Sequence, residues 1–249
     1  MELSNRTVLV TGGTSGIGLG LAEAFHRSGS TVIVCGRDKK KLAAVEKQLP
    51  AITALPCDVA DGRQREQLAK EVLRRFPDLD ILVNNAGIQR YIDLKKGYGE
   101  LKSGEDEIAV NLVAVVELTA LFIDHLMKRP RAAVINVSSG LGFMPMLSTP
   151  IYSATKAAVH TYSLVLRQQL KDTSVGVVEI VPPMVATGLN RTGRDRAHLK
   201  FRGISLSEYI PTVIKGLEDD ADLIFHGDGA KVMTETRGES ESRLLKPSW

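Results

Sequence analysis

The chain is poor in the residues on which several classes of protein depend. Its 249 residues include two cysteines, too few for a disulfide-stabilised fold, and five histidines without metal-ligand spacing. The net charge of +3 gives no argument for a nucleic-acid or membrane partner. The sequence predicts no membrane span, and its first residues do not resemble a signal peptide. We therefore expect a cytoplasmic protein with reduced thiols, no metal, no nucleic acid and no membrane contact.

Apolar segments are abundant enough for a large core. The sequence is 43% hydrophobic, and short apolar runs alternate with helix-like segments along its length. This alternation predicts one α/β domain spanning 1–249, with a doubly wound parallel sheet of about seven strands and helices on both faces. Residues 188–204 are predicted to form a mobile substrate loop, and 227–249 a polar tail.

The stretch 133–156 carries side chains suited to proton transfer. An apolar run predicts a buried strand that ends at Ser138 and Ser139, and a later helix places Tyr152 and Lys156 on one face. A lysine cation about 4 Å from a phenol favours the phenolate by roughly 4 kcal/mol at an effective dielectric of about 20, which predicts a lowered tyrosine pKa. Tyr152 would then exchange a proton with a substrate oxygen held by Ser139. The same spacing also occurs on ordinary helix surfaces.

A glycine-rich turn, T-G-G-T-S-G-I-G at 11–18, lies between a predicted strand and a predicted helix. Gly12 suits the tight turn, Gly16 lets the backbone approach a pyrophosphate, and Gly18 lets the helix pack closely. The helix N-terminus offers N–H groups to a phosphate. The turn predicts a Rossmann-type dinucleotide site, although a similar pattern also occurs in plain tight loops.

The end of the second predicted strand, 31–35, bears on the choice of cofactor. An acid that binds the ribose hydroxyls of NAD usually stands there, but here Arg37 and the lysines 39–41 follow a glycine. A guanidinium suits the 2′-phosphate of NADP. We therefore favour NADP(H) over NAD(H). Two features favour NAD(H) instead: Ser15 adds no basic residue to the glycine turn, and Asp38 offers a carboxylate.

Several motifs together resemble the classical short-chain dehydrogenase/reductase family over nearly the whole chain. They are T-G-x-x-x-G-I-G at 11–18, Asp58-Val59, N-N-A-G at 84–87, Asn111, Ser139 and Tyr152-x-x-x-Lys156. The thirteen-residue spacing from Ser139 to Tyr152 matches the family, and Pro182-Pro183 departs from its usual Pro-Gly. Within the family, stretches such as N-N-A-G-I-Q-R and Y-S-A-T-K-A-A-V-H resemble the DltE-like oxidoreductases.

The resemblance implies a role for each matching residue. Four of them would be catalytic. Ser139 would hold the substrate oxygen, and Tyr152 would act as the acid or base. Lys156 would support Tyr152, and Asn111 would order a relay water. The implied cofactor contacts are Gly12, Thr14, Ser15, Gly16, Ile17, Gly18, Arg37, Asp58, Val59, Asn85, Ala86, Gly87, Tyr152, Lys156, Val185 and Thr187.

These observations predict an NADP(H)-dependent oxidoreductase that acts on a small carbonyl or alcohol substrate. The alternative is a sensor or scaffold that binds NADP(H) without turnover, because folds of this type also host such functions. A nucleotide-sugar epimerase or dehydratase would need a larger substrate region.

Three further features are open to more than one interpretation. Residues 143–147 form either an apolar pocket wall or packing beneath a loop. The basic residues Arg191, Arg194, Arg196, Lys200 and Arg202 either attract an anion or belong to a solvated loop. Apolar residues on more than one face of the predicted helices at 105–128 and 151–171 indicate a homodimer or homotetramer.

Overall fold

The computed structural model describes residues 1–102, 106–189 and 203–227. The strands in these ranges are β1 (Thr7–Thr11), β2 (Thr31–Gly36), β3 (Thr53–Pro56), β4 (Ile81–Asn84), β5 (Ala132–Val137), β6 (Val175–Val181) and β7 (Leu223–Phe225). All pair in parallel, in the order β3-β2-β1-β4-β5-β6-β7. The predicted doubly wound parallel sheet is confirmed.

Helices connect the strands. They are α1 (Gly16–Arg27), α2 (Lys39–Gln48), α3 (Gly62–Arg75), α4 (Tyr98–Lys102), α5 (Ala114–Leu126), α6 (Pro150–Gln169) and α7 (Leu206–Glu218). Local chemistry fixes several starts: Asp38 and Asp61 accept hydrogen bonds from the first N–H groups of α2 and α3. Pro150 opens α6, where its fixed φ suits a helix and its missing N–H is not needed.

Two apolar clusters form the core, one on each face of the sheet. The first joins strand residues such as Val8 and Val34 to Phe25 of α1 and Tyr209 of α7. The second joins the opposite sides of the strands to α3, α5 and the end of α6, with Phe122 at its centre. Because both faces are covered, the strands are almost entirely apolar.

The segment before α5 departs from the regular helix that its sequence pattern predicts. Ala109–Val113 forms a π-helical turn that leads directly into α5. Among the described residues, the combined stretch Ala109–Leu126 is the one helix long and apolar enough to cross a membrane by composition, with a mean hydropathy of 1.7. This differs from the sequence analysis, which found no such run. In this structure Leu118, Phe122 and Leu126 of that stretch are buried in the second core cluster.

The strand order reverses direction between β1 and β4. Ligands of open α/β sheets bind outside the carboxyl ends of the strands at such a point. The glycine turn follows β1, the N-N-A-G motif overlaps the end of β4, and Ser138 and Ser139 follow β5. The topology therefore brings the three motifs to one edge of the sheet. Most of the predicted substrate loop and of the polar tail lies outside the described residues, at 190–202 and 228–249.

Candidate functional site

A cavity of about 790 Å³ opens at the carboxyl ends of the strands. All sixteen predicted cofactor residues line it, together with Ser139. Lys41 of the basic run and Leu189 of the predicted substrate loop also line it. Other residues of the wall were not identified from sequence, and they include Cys57, Gln89, Arg90, Tyr91, Leu141, Met184 and His226. Its extent, from the end of β2 to α6, suits an elongated ligand.

The glycine turn forms a cradle that side chains would fill. Gly12 and Gly16 have φ of +64° and +58°, which most other residues adopt only under strain. A Cβ atom at Gly12 would lie 2.9 Å from the Ala86 Cα, and one at Gly18 would lie 2.6 Å from the Gly12 carbonyl oxygen. Ser15, at the N-cap of α1, makes no side-chain cap, which suits N–H groups that bind an anion. These residues therefore fit a dinucleotide pyrophosphate.

Thr11 fixes the glycine turn against the N-N-A-G motif. Its hydroxyl accepts hydrogen bonds from the N–H groups of Asn85 and Ala86, at 2.9 and 3.0 Å, and donates to the Val83 carbonyl at 3.2 Å. The Asn85 amide in turn donates to the Thr11 carbonyl at 2.8 Å. Thr11 opens the T-G-x-x-x-G-I-G motif but was not predicted as a cofactor contact, and the structure gives it this bracing role instead.

Ser139, Tyr152 and Lys156 meet at one end of the cavity. The Ser139 hydroxyl lies near the Tyr152 hydroxyl and acts to lower its pKa, and the Ser139 side-chain oxygen accepts a hydrogen bond from the Leu141 N–H at 3.2 Å. The Lys156 ammonium donates to the Val137 carbonyl at 2.8 Å and lies 5.7 Å from the centroid of the Tyr152 ring. All three residues are buried. The arrangement gives a carbonyl or hydroxyl oxygen two polar partners within the cavity.

The predicted fall in the Tyr152 pKa is wrong for this structure. Burial raises its pKa to about 12, the nearby Ser139 hydroxyl opposes that rise, and the Glu107 carboxylate adds to it. Burial also lowers the pKa of Lys156 to about 8, against the effect of the Glu179 carboxylate. The sequence argument treated desolvation as a reduction of the effect of the lysine charge, whereas desolvation is the larger effect in this structure.

Asn111 lies behind the cavity wall. It sits in the π-helical turn, where its side-chain oxygen accepts from the Ile88 N–H and its amide donates to the Ile88 carbonyl, both at 2.9 Å. The amide also contacts the Thr155 hydroxyl at 3.2 Å. Asn111 therefore ties the loop after β4 to α6 beside Lys156. Such turns occur frequently at functional sites.

Two buried carboxylates near the site were not predicted. Glu107 accepts a hydrogen bond from the Arg90 N–H at 3.1 Å with one oxygen, and its other oxygen is buried without a partner among the residues that the structure describes. Burial raises the pKa of Glu107. Glu179 of β6 is fully buried and hydrogen-bonds with Ser138 and His160. The sequence signal for Glu179 was a charged residue within an apolar strand, which is rare without a partner.

The residues 143–147 have divided roles. Met144 and Met146 line the cavity, as the pocket interpretation predicted. Phe143 instead packs on the rings of His160 and Phe225, with centroids 4.4 and 5.9 Å away. Leu147 is 80% exposed. The basic residues predicted to line a substrate loop lie at 191–202, outside the described residues, but Arg90 lines the cavity.

Comparison with known proteins agrees with this geometry. A family model described as short chain dehydrogenase matches residues 6–197. The chain is 52% identical over 219 residues to the uncharacterized oxidoreductase DltE of Bacillus subtilis (strain 168), covering 88% of this chain and 87% of that protein. An uncharacterized oxidoreductase of Staphylococcus aureus (strain MRSA252) is 33% identical over 210 residues, covering 84% of this chain and 90% of that protein.

Solved structures give the same fold. A short-chain dehydrogenase/reductase from Burkholderia phymatum in complex with NAD has a TM-score of 0.85 at 20% identity, covering 100% of this chain and 98% of that one. A short-chain dehydrogenase from Burkholderia cenocepacia J2315 in complex with NADP has a TM-score of 0.83 at 26% identity, covering 99% and 100%. Both nicotinamide cofactors therefore occur among structures similar to this chain.

Proposed function

Because the chain belongs to the short-chain dehydrogenase/reductase family, we propose that it catalyses NADP(H)-dependent hydride transfer to or from a small carbonyl or alcohol substrate. The observation that carries the proposal is the convergence of Ser139, Tyr152 and Lys156, all buried, at one end of the cavity that the glycine turn also lines. When bound, the cofactor supplies or accepts the hydride at C4 of its nicotinamide.

The side chains supply the proton and the position of the substrate. In the reductive direction, Ser139 holds the substrate oxygen and the Tyr152 hydroxyl donates its proton to that oxygen. A phenol with a pKa near 12 keeps this proton at neutral pH, which supports the reductive direction. The Lys156 ammonium stabilises the phenolate that remains. Asn111 holds the loop after β4 in position against the part of α6 that carries Lys156.

A substrate screen tests the proposal. Purified protein is mixed with NADPH and a panel of aldehydes, ketones and keto acids, and loss of the reduced-nicotinamide absorbance is followed. We expect saturable oxidation of NADPH with at least one carbonyl compound. Tight NADPH binding without turnover on any of them would instead indicate the sensor or scaffold function.

The preference for NADP(H) rests on Arg37 and Asp38. Arg37 lines the cavity directly after β2, where a 2′-phosphate would lie. Asp38, which favoured NAD(H) in the sequence, uses one carboxylate oxygen to cap α2 by accepting from the N–H groups of Lys40 and Lys41, at 2.9 and 3.2 Å. This capping bond supports a structural role for Asp38, although Asp38 also lines the cavity, and the cations beside it are the Arg37 guanidinium and the Lys41 ammonium. We take the guanidinium as the main feature that discriminates between cofactors.

Arg37→Leu should weaken NADPH binding by about 10- to 100-fold, because a charged hydrogen bond contributes about 1.5–3 kcal/mol. NADH, which lacks the phosphate, should bind within about threefold of its affinity for the wild type. Fluorescence titration of both cofactors measures the two effects. Lys39→Leu is the control: it removes a charge from the same basic run at a residue outside the cavity wall. Equal losses for NADPH and NADH in Arg37→Leu would contradict the assignment.

We also propose that the protein is a cytoplasmic homodimer or homotetramer. Its two cysteines, Cys35 and Cys57, are free and buried, which suits a reducing compartment. Val116 of α5 and Leu164 and Val165 of α6 are exposed apolar residues, and a second subunit would cover them. Light scattering should give two or four times the chain mass of 27.0 kDa. A monomeric mass would overturn this part of the proposal.

A further inference from the structure

A buried carboxylate links β6 to the two elements that carry the site. Glu179 accepts a hydrogen bond from the Ser138 hydroxyl at 2.5 Å with one oxygen, and its other oxygen lies 2.8 Å from Nδ1 of His160. Its side chain has no exposed surface. Ser138 precedes Ser139 at the end of β5, and its N–H also donates to the Ile180 carbonyl at 2.9 Å. Glu179 therefore helps to hold the strand end that carries Ser139.

The same carboxylate lies against the face of α6 that bears Lys156. Lys156 and His160 are four residues apart, so they project from one face of the helix. Phe143 covers the His160 ring, and the Lys156 side chain is 3% exposed. A carboxylate and an ammonium therefore share one buried region between α6 and the ends of β5 and β6.

Ser138 and His160 do not form a nucleophilic centre here. In such a centre the histidine accepts the serine proton, whereas the Ser138 hydroxyl donates to the Glu179 carboxylate. His160 binds the opposite oxygen of that carboxylate. The Glu179 carboxylate is thus the group that both Ser138 and His160 contact. A buried negative charge requires a nearby positive charge that balances it.

The Lys156 ammonium supplies that positive charge. An unpaired buried ion is costly, so buried acids and cations occur together. Burial disfavours the charged form of Lys156, and the carboxylate of Glu179 opposes that effect. The other titratable groups around this point are Tyr152 and His160 on α6, and Glu107, whose carboxylate acts on Tyr152. Glu179 is the carboxylate bound directly to the strand ends and to the Lys156 face of the helix.

We propose that Glu179 is a positioning residue whose buried negative charge keeps Lys156 in its ammonium form and whose hydrogen bond to Ser138 holds the strand end that presents Ser139. Nδ1 of His160, 2.8 Å from the second oxygen of the carboxylate, fixes the orientation of that group. The role of Glu179 in catalysis rests on the proposed function. The electrostatic interaction between Glu179 and Lys156 does not depend on it, because it is a property of the protein alone. It can therefore be measured without turnover.

The test measures the ionisation of Lys156 directly. Protein labelled with ¹⁵N at the lysine Nζ atoms is titrated by NMR, and the Lys156 signal is assigned by its absence in Lys156→Arg. The wild-type midpoint should lie near pH 8. In Glu179→Gln, which removes the charge but keeps the shape, we expect the midpoint to fall by about one pH unit or more. A midpoint within about 0.3 units of the wild type, in folded protein, would overturn the proposal.

Ser163→Ala is the matched control. Ser163 lies on the same helix, is equally buried and accepts a hydrogen bond from Asn136 at 3.0 Å, but it carries no charge. Its loss should leave the Lys156 midpoint unchanged, and a fall equal to that of Glu179→Gln would show that the effect is merely structural. If Glu179→Gln does not fold, the double variant Ser138→Ala/Glu179→Leu removes the charge together with the hydroxyl that requires it, and the same fall is expected.

Activity measurements separate this proposal from the proposed function. If the wild type reduces a carbonyl substrate, the alkaline limb of its kcat profile should move to lower pH in Glu179→Gln, together with the NMR midpoint. If the alkaline limb of the kcat profile stays in place while the Lys156 titration midpoint falls, Glu179 has no role in catalysis. A fall in the midpoint in a protein that turns over no carbonyl would refute the proposed function and leave the charge relation intact.

Discussion

Tyr152→Phe should lower kcat for carbonyl reduction by at least about 100-fold, the lower end of the usual contribution of general acid–base catalysis. The substitution removes the hydroxyl that is proposed to donate to the substrate oxygen and that lies near the Ser139 side chain. The ring remains, so the buried packing at the start of α6 is kept. NADPH affinity should change by less than about threefold, because the phenol oxygen would contact only a small part of the bound cofactor. Steady-state kinetics and fluorescence titration measure the two quantities.

The control for this experiment is Tyr162→Phe on the same helix. Tyr162 is half-buried, lies near Thr119 and is not part of the cavity wall. Its variant should keep kcat within about twofold of the wild type, because surrounding contacts are retained and no reacting atom is near. Full activity in Tyr152→Phe would show that another group supplies the proton, and Tyr152 would lose its assigned role.

Gly18→Ala should destabilise the protein and abolish tight cofactor binding. A Cβ atom there would lie 2.3 Å from the side-chain nitrogen of Asn85 and 2.6 Å from the Gly12 carbonyl oxygen. Relief of that overlap requires the glycine turn to move away from the N-N-A-G motif. Overpacking of this kind costs about 1–3 kcal/mol, which corresponds to a fall of several degrees in Tm. NADPH affinity should fall by about 10-fold or more, because the displaced turn is the proposed phosphate cradle.

Gly99→Ala is the matched control, because a Cβ atom at Gly99 meets no atom within 4 Å. Gly99 lies in the exposed helix α4, where alanine is a better helix former than glycine. The Tm and the NADPH affinity of Gly99→Ala should equal or slightly exceed those of the wild type. Wild-type cofactor binding in Gly18→Ala would show that the turn does not need close packing at this point.

The parts of the site that the sequence predicted are those fixed by local patterns. The glycine turn lies between a strand and a helix, and Tyr152 and Lys156 share a helix face because of their spacing alone. Short apolar runs likewise predicted each strand, and parallel pairing then brought their carboxyl ends together. Such features do not depend on how the rest of the chain packs.

The parts that it missed depend on burial and on contacts distant in sequence. The direction of the Tyr152 pKa shift follows from desolvation, which becomes known only once the helix is packed against its neighbours. The π-helical turn moves Asn111 behind the wall, and the regular helix period gave no sign of it. Glu107 stands in a run of acidic residues at the start of the helix predicted at 105–128, yet it is buried. Glu179 finds its partners on β5 and α6.

The most direct test of the account follows the hydride itself. NADPH deuterated at both C4 positions of the nicotinamide is supplied with a carbonyl substrate from the screen, and the product is analysed by mass spectrometry and NMR. We expect one deuterium on the carbinol carbon of each product molecule, in step with oxidation of the cofactor, and loss of this transfer in Tyr152→Phe. Product without deuterium at that carbon, or cofactor that stays reduced and bound with every substrate, would contradict hydride transfer at this site.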